Sequence, residues 1–584
     1  MEREDIARQY KWNTKDIFVN DSAWEKLFIQ IEKKINFSQF VGQLNTEENI
    51  AKFLQQQEEF LLQLERLYLY AHLKHDEDTK VAKYIAMQSK AMSLYVRYST
   101  ETAFVLPELL SLPLEKLEEL QHSHLCKDYD YFFKQLIAQK AYLLPAEQEK
   151  ILAMTGEVFN QFKNIFSMID NADMQFGEVE NIPLSHASYS KIMHGTDREL
   201  RKKAFQKYYA CYMQRANTIA ATYYGNVQKN VFITKVRGYE HCLQKALIAE
   251  DVAEIVYDNL IAAVHESLVD MYDYIKFRKS ALHLKEMHFY DIYTPIVATL
   301  EKNIPYKDGY KIVKNGLKAL GEDYLQILDE AYHNGWIDVY ESKGKRSGAY
   351  SSGIYNIHPY VLLNYNNTVN DVFTVAHEMG HAIHTYYANQ SQCYAKADYR
   401  IFVAEVASTV NEVLLLKHML KTSTDKEELK YYYNYYLDMM RGTLFRQTLF
   451  AEFEVFAHTQ VQAGIPLTVE SMNAYYLTLN KNYYGDSIVY DDEIAYEWAR
   501  IPHFYNAFYV YKYATGIISA ISIVDKILKE GESAVVAYKN FLRAGGSDSP
   551  VELLKIVGID LTQKQAFETA MHEFKNTLEK LKEV

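Results

Sequence analysis

"HEMGHAIH", residues 377–384, sets three histidines and a glutamate within eight positions of a chain that otherwise reads as long helices. Thr368 with Asp371 in "TVND" predicts a capped start for a helix running through "VFTVAHEMGHAIHTYY". On that helix His377 and His381 are four apart and face the same way, so two imidazoles can reach one ion. Glu378 is turned by about 100° from His377 and about 60° from His381. It therefore sits beside the ion, about one water molecule away. This suits hydrolysis, because a metal lowers the pKa of water toward about 7 and a nearby carboxylate can take the proton. The competing reading is a surface helix with two histidines. With 19 histidines in the chain, a chance H-E-x-x-H is on the order of a few per cent. A third ligand decides between the two.

"YRIFVAEVASTVNEVLLLKHML", 399–420, offers one. Glu405 follows His381 by 405 − 381 = 24 residues, enough for a turn and a return helix. A carboxylate inside "IFVAEVAS" is costly to bury without a partner, and a zinc ion is such a partner. Ser408, Thr409 and Glu412 continue a polar stripe on that helix. Glu412 either accepts a hydrogen bond from a ligand histidine's other nitrogen or faces solvent. His384 reads as a satisfied structural histidine rather than a ligand.

A second constellation lies in "WARIPHFYNAFYVYKYATG", 498–516. Tyr505, Tyr509 and Tyr513 are four apart, which predicts one helical stripe with His503 at its N-terminal end. Among 50 tyrosines the plain reading of any one is packing, and "KYYYNYYLDMM" at 430–440 is read that way. His503 just after a proline, where a helix begins, raises this stripe above the rest as a set of donors for an oxyanion.

The remaining chain narrows the function classes. At 584 residues several lobes are expected. A hydrophobic fraction of 48% with 24% charged residues is that of a globular protein, and 22 Gly with 10 Pro leaves helix dominant. The net charge is −13, and the basic stretches "RELRKK" (198–203) and "KGKR" (343–346) are short, so nucleic acid and anionic membranes are not expected partners. Cys126, Cys211, Cys242 and Cys393 lack C-x-x-C spacing and read as thiols of a reducing compartment. "MEREDIARQY" has no apolar signal segment, and "IISAISIV" (517–524) is too short to span a bilayer, so a cytoplasmic location is expected.

Ser22 with Glu25 predicts a capping box for the first helix; 46–73 and 78–105 carry helical periodicity and are expected to pack antiparallel. "DMQFGEVE" (173–180) predicts a short strand or turn, and Thr196 with Glu199 caps a long helix to about Lys229. From about residue 330 the texture changes to a small sheet plus a mobile Gly/Ser loop. "AGGSDSP" leads into a last box of Ser549, Pro550 and Glu552.

Taken together, "WNTKDIF", "GAYSSG", "LLNYNNTVNDVFTVAHEMGHAIH", "FVAEVAST" with Glu405, "IPHFYNAFYVYKYATG" and "AGGSDSP" resemble the oligoendopeptidase F branch of the thimet oligopeptidase-like metallopeptidases (family M3), over nearly the whole chain. The resemblance implies a mainly α, two-lobed gluzincin with a deep substrate channel and a small β-sheet near the zinc helix. It divides the chain into an N-terminal helical lobe at 1–110, an oligoendopeptidase-type segment continuing it at 111–195, and a catalytic domain at 196–584. It implies one Zn²⁺ held by His377, His381 and Glu405, Glu378 as general base, and contact of His503 and one of Tyr505, Tyr509 and Tyr513 with the transition state. It also implies short unstructured peptides as substrates, with "IHPYVLLNY" (357–365) an edge to which their backbone adds and "SGAYSSG" a lid. The alternative activity is a dipeptidyl carboxypeptidase of similar helical fold; a non-catalytic peptide-binding protein is disfavoured because binding has no need of Glu378.

Overall fold

The computed structural model of the chain describes residues 1–297, 300 and 302–584. Among the described residues helices predominate, with two small sheets. The chain divides into two compact units. One is Met1–Ala141, Glu301–Lys421 and Ala520–Asp560; the other is Tyr142–Leu300, Thr422–Ser519 and Leu561–Val584. Among the described residues no helix is long and apolar enough to cross a membrane. All four cysteines are free, as expected, and three are buried.

The first unit opens with helices Asp21–Lys34, Glu47–Glu77 and Ala82–Glu101. Apolar residues three and four apart give the second helix a buried stripe that includes Leu64, Leu67 and Leu73. Trp24 is buried with them and donates its indole N–H to the Leu67 carbonyl at 2.8 Å. The expected Ser22 box is absent. Asn20, in extended conformation, caps the first helix through Ala23 N–H, and Ser22 lies inside it; asparagine is among the best N-caps and stands two residues earlier. Ser549 and Pro550 start their helix as predicted. The reciprocal half of that box is missing: Ser549 N–H donates to Asp548 Oδ1 at 2.8 Å, and Glu552 accepts from Lys555 at 2.7 Å.

The sheet of this unit contains Ile337–Asp338, Tyr350–Ser352 and Tyr360–Leu362. Tyr360–Leu362 is the central strand, parallel to the first and antiparallel to the second. Residues 357–365 are therefore not the open edge the resemblance implies. Val361 and Leu363 donate their N–H groups to Trp336 and Asp338 carbonyls at 2.9 and 2.8 Å. Tyr360 and Leu362 are then left to bond Ser352 and Tyr350. Ile337–Asp338 and Tyr350–Ser352 are the two outer strands, the latter part of the stretch read as a mobile loop. Ser351 faces Val361 in the non-bonded pairing, so its N–H and C=O point off the sheet.

In the second unit, helix Arg198–Gln214 is capped by Asp197 on Leu200 N–H, not by Thr196 with Glu199. The chain breaks at Arg215 before helix Ala216–Arg237, so the predicted long helix is two. Glu178–Val179 pairs with Ile182–Pro183, the short strand expected near 173–180. Tyrosines fill this core: Tyr208, Tyr209, Tyr212, Tyr274 and Tyr476 are all buried. The run at 430–440 packs as read, with Tyr432 and Tyr436 buried on helix Lys426–Met440.

Candidate active site

The motif helix, Val369–Ser391, starts at Thr368, whose hydroxyl accepts Asp371 N–H while the Asp371 carboxylate accepts Thr368 N–H. It packs on the sheet and on helices Tyr306–Gly316 and Glu532–Ala544. The carboxylate helix, Ile401–Thr422, crosses it at Gly380, where a Cβ would lie 2.5 Å from Ser408 Cα and 2.7 Å from the Ala407 carbonyl oxygen. Asn411 ties the crossing by donating to the Ala376 carbonyl at 3.0 Å and accepting from Tyr324 Oη at 2.8 Å. Sequence reasoning passed over Gly380 and Asn411. The signal was there for Gly380, since a glycine inside a helical pattern marks close packing.

This crossing brings His377, His381 and Glu405 together, with one ligand atom of each lying within 4.8 Å of the others. The two Nε2 atoms are 3.2 Å apart, and Glu405 Oε2 is 3.7 Å from His377 and 3.8 Å from His381. Two nitrogens bound to one tetrahedral zinc ion would be about 3.4 Å apart. Two imidazoles and a carboxylate, with a fourth position open, are also the donor set of a catalytic zinc. The residues present fit the ion. Glu412 reaches His377 Nδ1 at 2.5 Å, so of its two readings the hydrogen-bonded one holds.

Electrostatics fit as well, because three carboxylates surround two imidazoles. Burial pulls His377 down, but the Glu412 hydrogen bond and the charges of Glu412, Glu378 and Glu405 lift it to about 9. Burial, then the neighbouring His377, lowers His381 to about 3. Glu378 is buried, which raises it to about 7; the Ser351 backbone N–H, bonded to its carboxylate, works in the other direction. Glu405 is raised too, mainly by burial. His384 is fully buried, but neither ring nitrogen has a partner. It stacks on Tyr399 at 3.7 Å instead, so it is structural but not satisfied.

The second constellation lies in the other unit and is not one stripe. Pro502–Tyr505 is a 3₁₀ turn, Phe508 is left-handed at φ +55°, and the next helix starts only at Tyr511. The periodicity that links Tyr505 to Tyr509 is broken between them. Tyr505 is buried against Phe166 at 4.4 Å, its hydroxyl unpartnered. His503, Tyr509 and Tyr513 do cluster, with ring centroids 5.5–6.1 Å apart. Burial, and then the charge of Arg446, lowers the His503 pKa. Glu454, unremarked in the sequence, accepts Phe508 N–H at 2.8 Å.

Comparison with known proteins adds family evidence. A family model described as Peptidase family M3 matches residues 191–573, and one described as Oligopeptidase F matches residues 108–176. Oligopeptidase PepF of Bacillus subtilis (strain 168) is 40% identical over 592 residues, covering 100% of this chain and 88% of its own. An oligoendopeptidase F homolog of Lactococcus lactis subsp. lactis (strain IL1403) is 37% identical over 594 residues, covering 100% and 98%. Among solved structures, one from Chlamydophila abortus has a TM-score of 0.93 at 36% identity and 99% coverage of each chain. Oligoendopeptidase-F from Enterococcus faecium has a TM-score of 0.73 at 32% identity, covering 96% of this chain and 99% of its own.

Proposed function

The chain belongs to peptidase family M3, and on that premise we propose how its own residues carry the reaction. It is a metalloendopeptidase acting on oligopeptides. The dipeptidyl carboxypeptidase alternative is not favoured by its relatives. His377, His381 and Glu405 hold one zinc ion per chain, Glu378 is the general base, and Glu412 orients His377. The observation that carries this is the convergence of three ligand atoms within 4.8 Å, with Glu378 next along the same helix.

Zinc, when bound, supplies a Lewis acid for the scissile carbonyl and makes water acidic enough to lose a proton near neutral pH. Glu378 takes that proton and passes it to the leaving nitrogen, its carboxylate steadied by Ser351 N–H. Glu412 accepts from His377 Nδ1 and so keeps the Nε2 lone pair directed at the ion. The substrate main chain lies along the Tyr350–Ser352 edge and donates to the outward Ser351 carbonyl, the Ser351 N–H being held by Glu378. A groove lined by Gly348, Ala349, Leu363, Asn364, Asp371 and Thr374 takes a side chain beside it. On the resemblance, His503 with Tyr509 and Tyr513 supplies donors to the developing oxyanion, and Tyr505 is omitted because its ring is in the core. Four free thiols support a cytoplasmic location.

The test is product analysis by mass spectrometry on a peptide of about nine residues with an amidated C-terminus, short enough to span a strand-sized site. Zinc-loaded wild type and Glu378→Gln are run in parallel. An internal cut by wild type alone, with zinc retained in the variant, is expected. Dipeptide release from the free acid only would make the enzyme a carboxypeptidase. An active Glu378→Gln would remove the base assignment.

A further inference from the structure

Asp76 stands in the last turn of helix Glu47–Glu77 and none of its side chain reaches solvent. Four groups nevertheless converge on it. Tyr350 Oη donates to Oδ2 at 2.9 Å and Arg346 Nη1 at 3.2 Å. His75 Nδ1 lies 2.8 Å from Oδ1, and His72 Nε2 is 3.4 Å from Oδ2. The backbone repeats the contact, since Arg346 N–H donates to the Asp76 carbonyl at 3.1 Å. Three residues on, Thr79 donates both its N–H and its hydroxyl to the Gly344 carbonyl, at 2.8 and 2.9 Å. Gly344 is left-handed, and a Cβ there would lie 2.1 Å from Asp78 Oδ1, so loop and helix end meet without spare room.

The same loop is held from its other side. Lys345 points into the sheet, with no side-chain exposure, and pairs with Asp338 at 2.8 Å while donating to the Tyr340 and Leu363 carbonyls. The segment between the sheet's two outer strands is therefore clamped by Lys345 beneath and by Arg346 and Tyr350 on Asp76. Tyr350 heads the outer strand, and the next residue, Ser351, bonds Glu378. A buried carboxylate is costly unless its partners are well placed. Here those partners are the start of the strand that touches the base.

We propose that Asp76 is a positioning residue for peptide hydrolysis: through Tyr350 and Arg346 it sets the height and register of the Tyr350–Ser352 edge against Glu378, and so the placement of the substrate backbone. The proposal rests on the reading of that edge as the substrate's partner strand.

The test uses the full zinc-loaded enzyme as wild type, Asp76→Asn, Tyr350→Phe and the double variant, with an internally quenched peptide and a series N-methylated at single backbone positions. Asparagine keeps the size and an acceptor, and Tyr350→Phe removes one hydroxyl, so a folded variant is secured. Asp76→Asn should raise KM about tenfold, the worth of one charge-assisted hydrogen bond. Amide exchange over residues 344–352 should accelerate while zinc content and exchange elsewhere stay as in wild type. The double variant should lose little beyond Asp76→Asn. If N-methylation hurts wild type at some position but Asp76→Asn matches wild type in KM, kcat and exchange, Asp76 has no positioning role. If exchange rises throughout and activity falls only with Tm, the residue is merely structural and the proposal fails. If no N-methylated position weakens wild-type binding, the edge reading itself falls, and the proposal with it.

Discussion

Gly380 and Ser408 mark the point where the motif helix and the carboxylate helix meet backbone to backbone, with 2.5 Å between a notional Gly380 Cβ and Ser408 Cα. That gap admits no side chain. Gly380→Ala must push the helices apart, at a cost of about 3 kcal/mol, and draw Glu405 away from the histidines. Urea unfolding and zinc content measured on the same preparation check this; a variant of wild-type stability and full zinc content would contradict it.

Glu412 holds His377 through its Nδ1, and such carboxylate partners of metal-bound histidines tune affinity. Glu412→Ala should weaken zinc binding by about 10–100-fold, and Glu412→Gln, which keeps an acceptor, by less. Competition with a chromophoric chelator reads both values. Equal affinity in wild type and Glu412→Ala would show that the bond does nothing for the metal.

His384 is buried without a partner for either nitrogen, and burial followed by the nearby His381 lowers it to about 3. It is therefore neutral at working pH and contributes only its flat ring, stacked on Tyr399. His384→Phe keeps the stack and removes two unsatisfied polar atoms, so it should raise stability by about 1 kcal/mol with peptidase activity retained. Thermal unfolding decides, and a clear loss of Tm would mean that a ring nitrogen is in use.

Glu454 is fully buried; Oε1 accepts Phe508 N–H and Oε2 has no partner. Burial raises it from 4.5 to about 8. The folded state therefore keeps the proton while the unfolded chain releases it. Its contribution to stability is full below about 4.5 and is lost as pH rises through about 8. Glu454→Gln, which cannot ionise, should flatten that loss, whose slope is at most about 1.4 kcal/mol per pH unit. Urea midpoints for both proteins across that window test it, and parallel curves would refute the protonated carboxyl.

Several local readings held because they depend on neighbours in the chain. Thr368 with Asp371, and Ser549 with Pro550, start helices where predicted, since a cap needs only one side chain and the next three residues. The failures at Ser22 and Thr196 are also local. Asn20 and Asp197 stood beside them as rival caps, and the backbone angles chose between them. The Tyr505 stripe failed for a different reason. Periodicity assumes an unbroken helix, whereas Phe508 turns left-handed with its N–H on Glu454, 54 residues earlier in the chain.

That His377, Glu378 and His381 share one stretch of helix was legible from the sequence alone, because four-residue spacing on a helix is itself geometry. Glu405 was legible because a carboxylate in an apolar run calls for a partner. Tertiary structure alone decided which strand is the edge, why Gly380 must lack a side chain, and that Asp76 grips Tyr350. Each of these joins segments whose separation along the chain says nothing about their distance in space. Strand order, helix crossing and a hydrogen bond onto a buried carboxylate are settled only when the whole core packs.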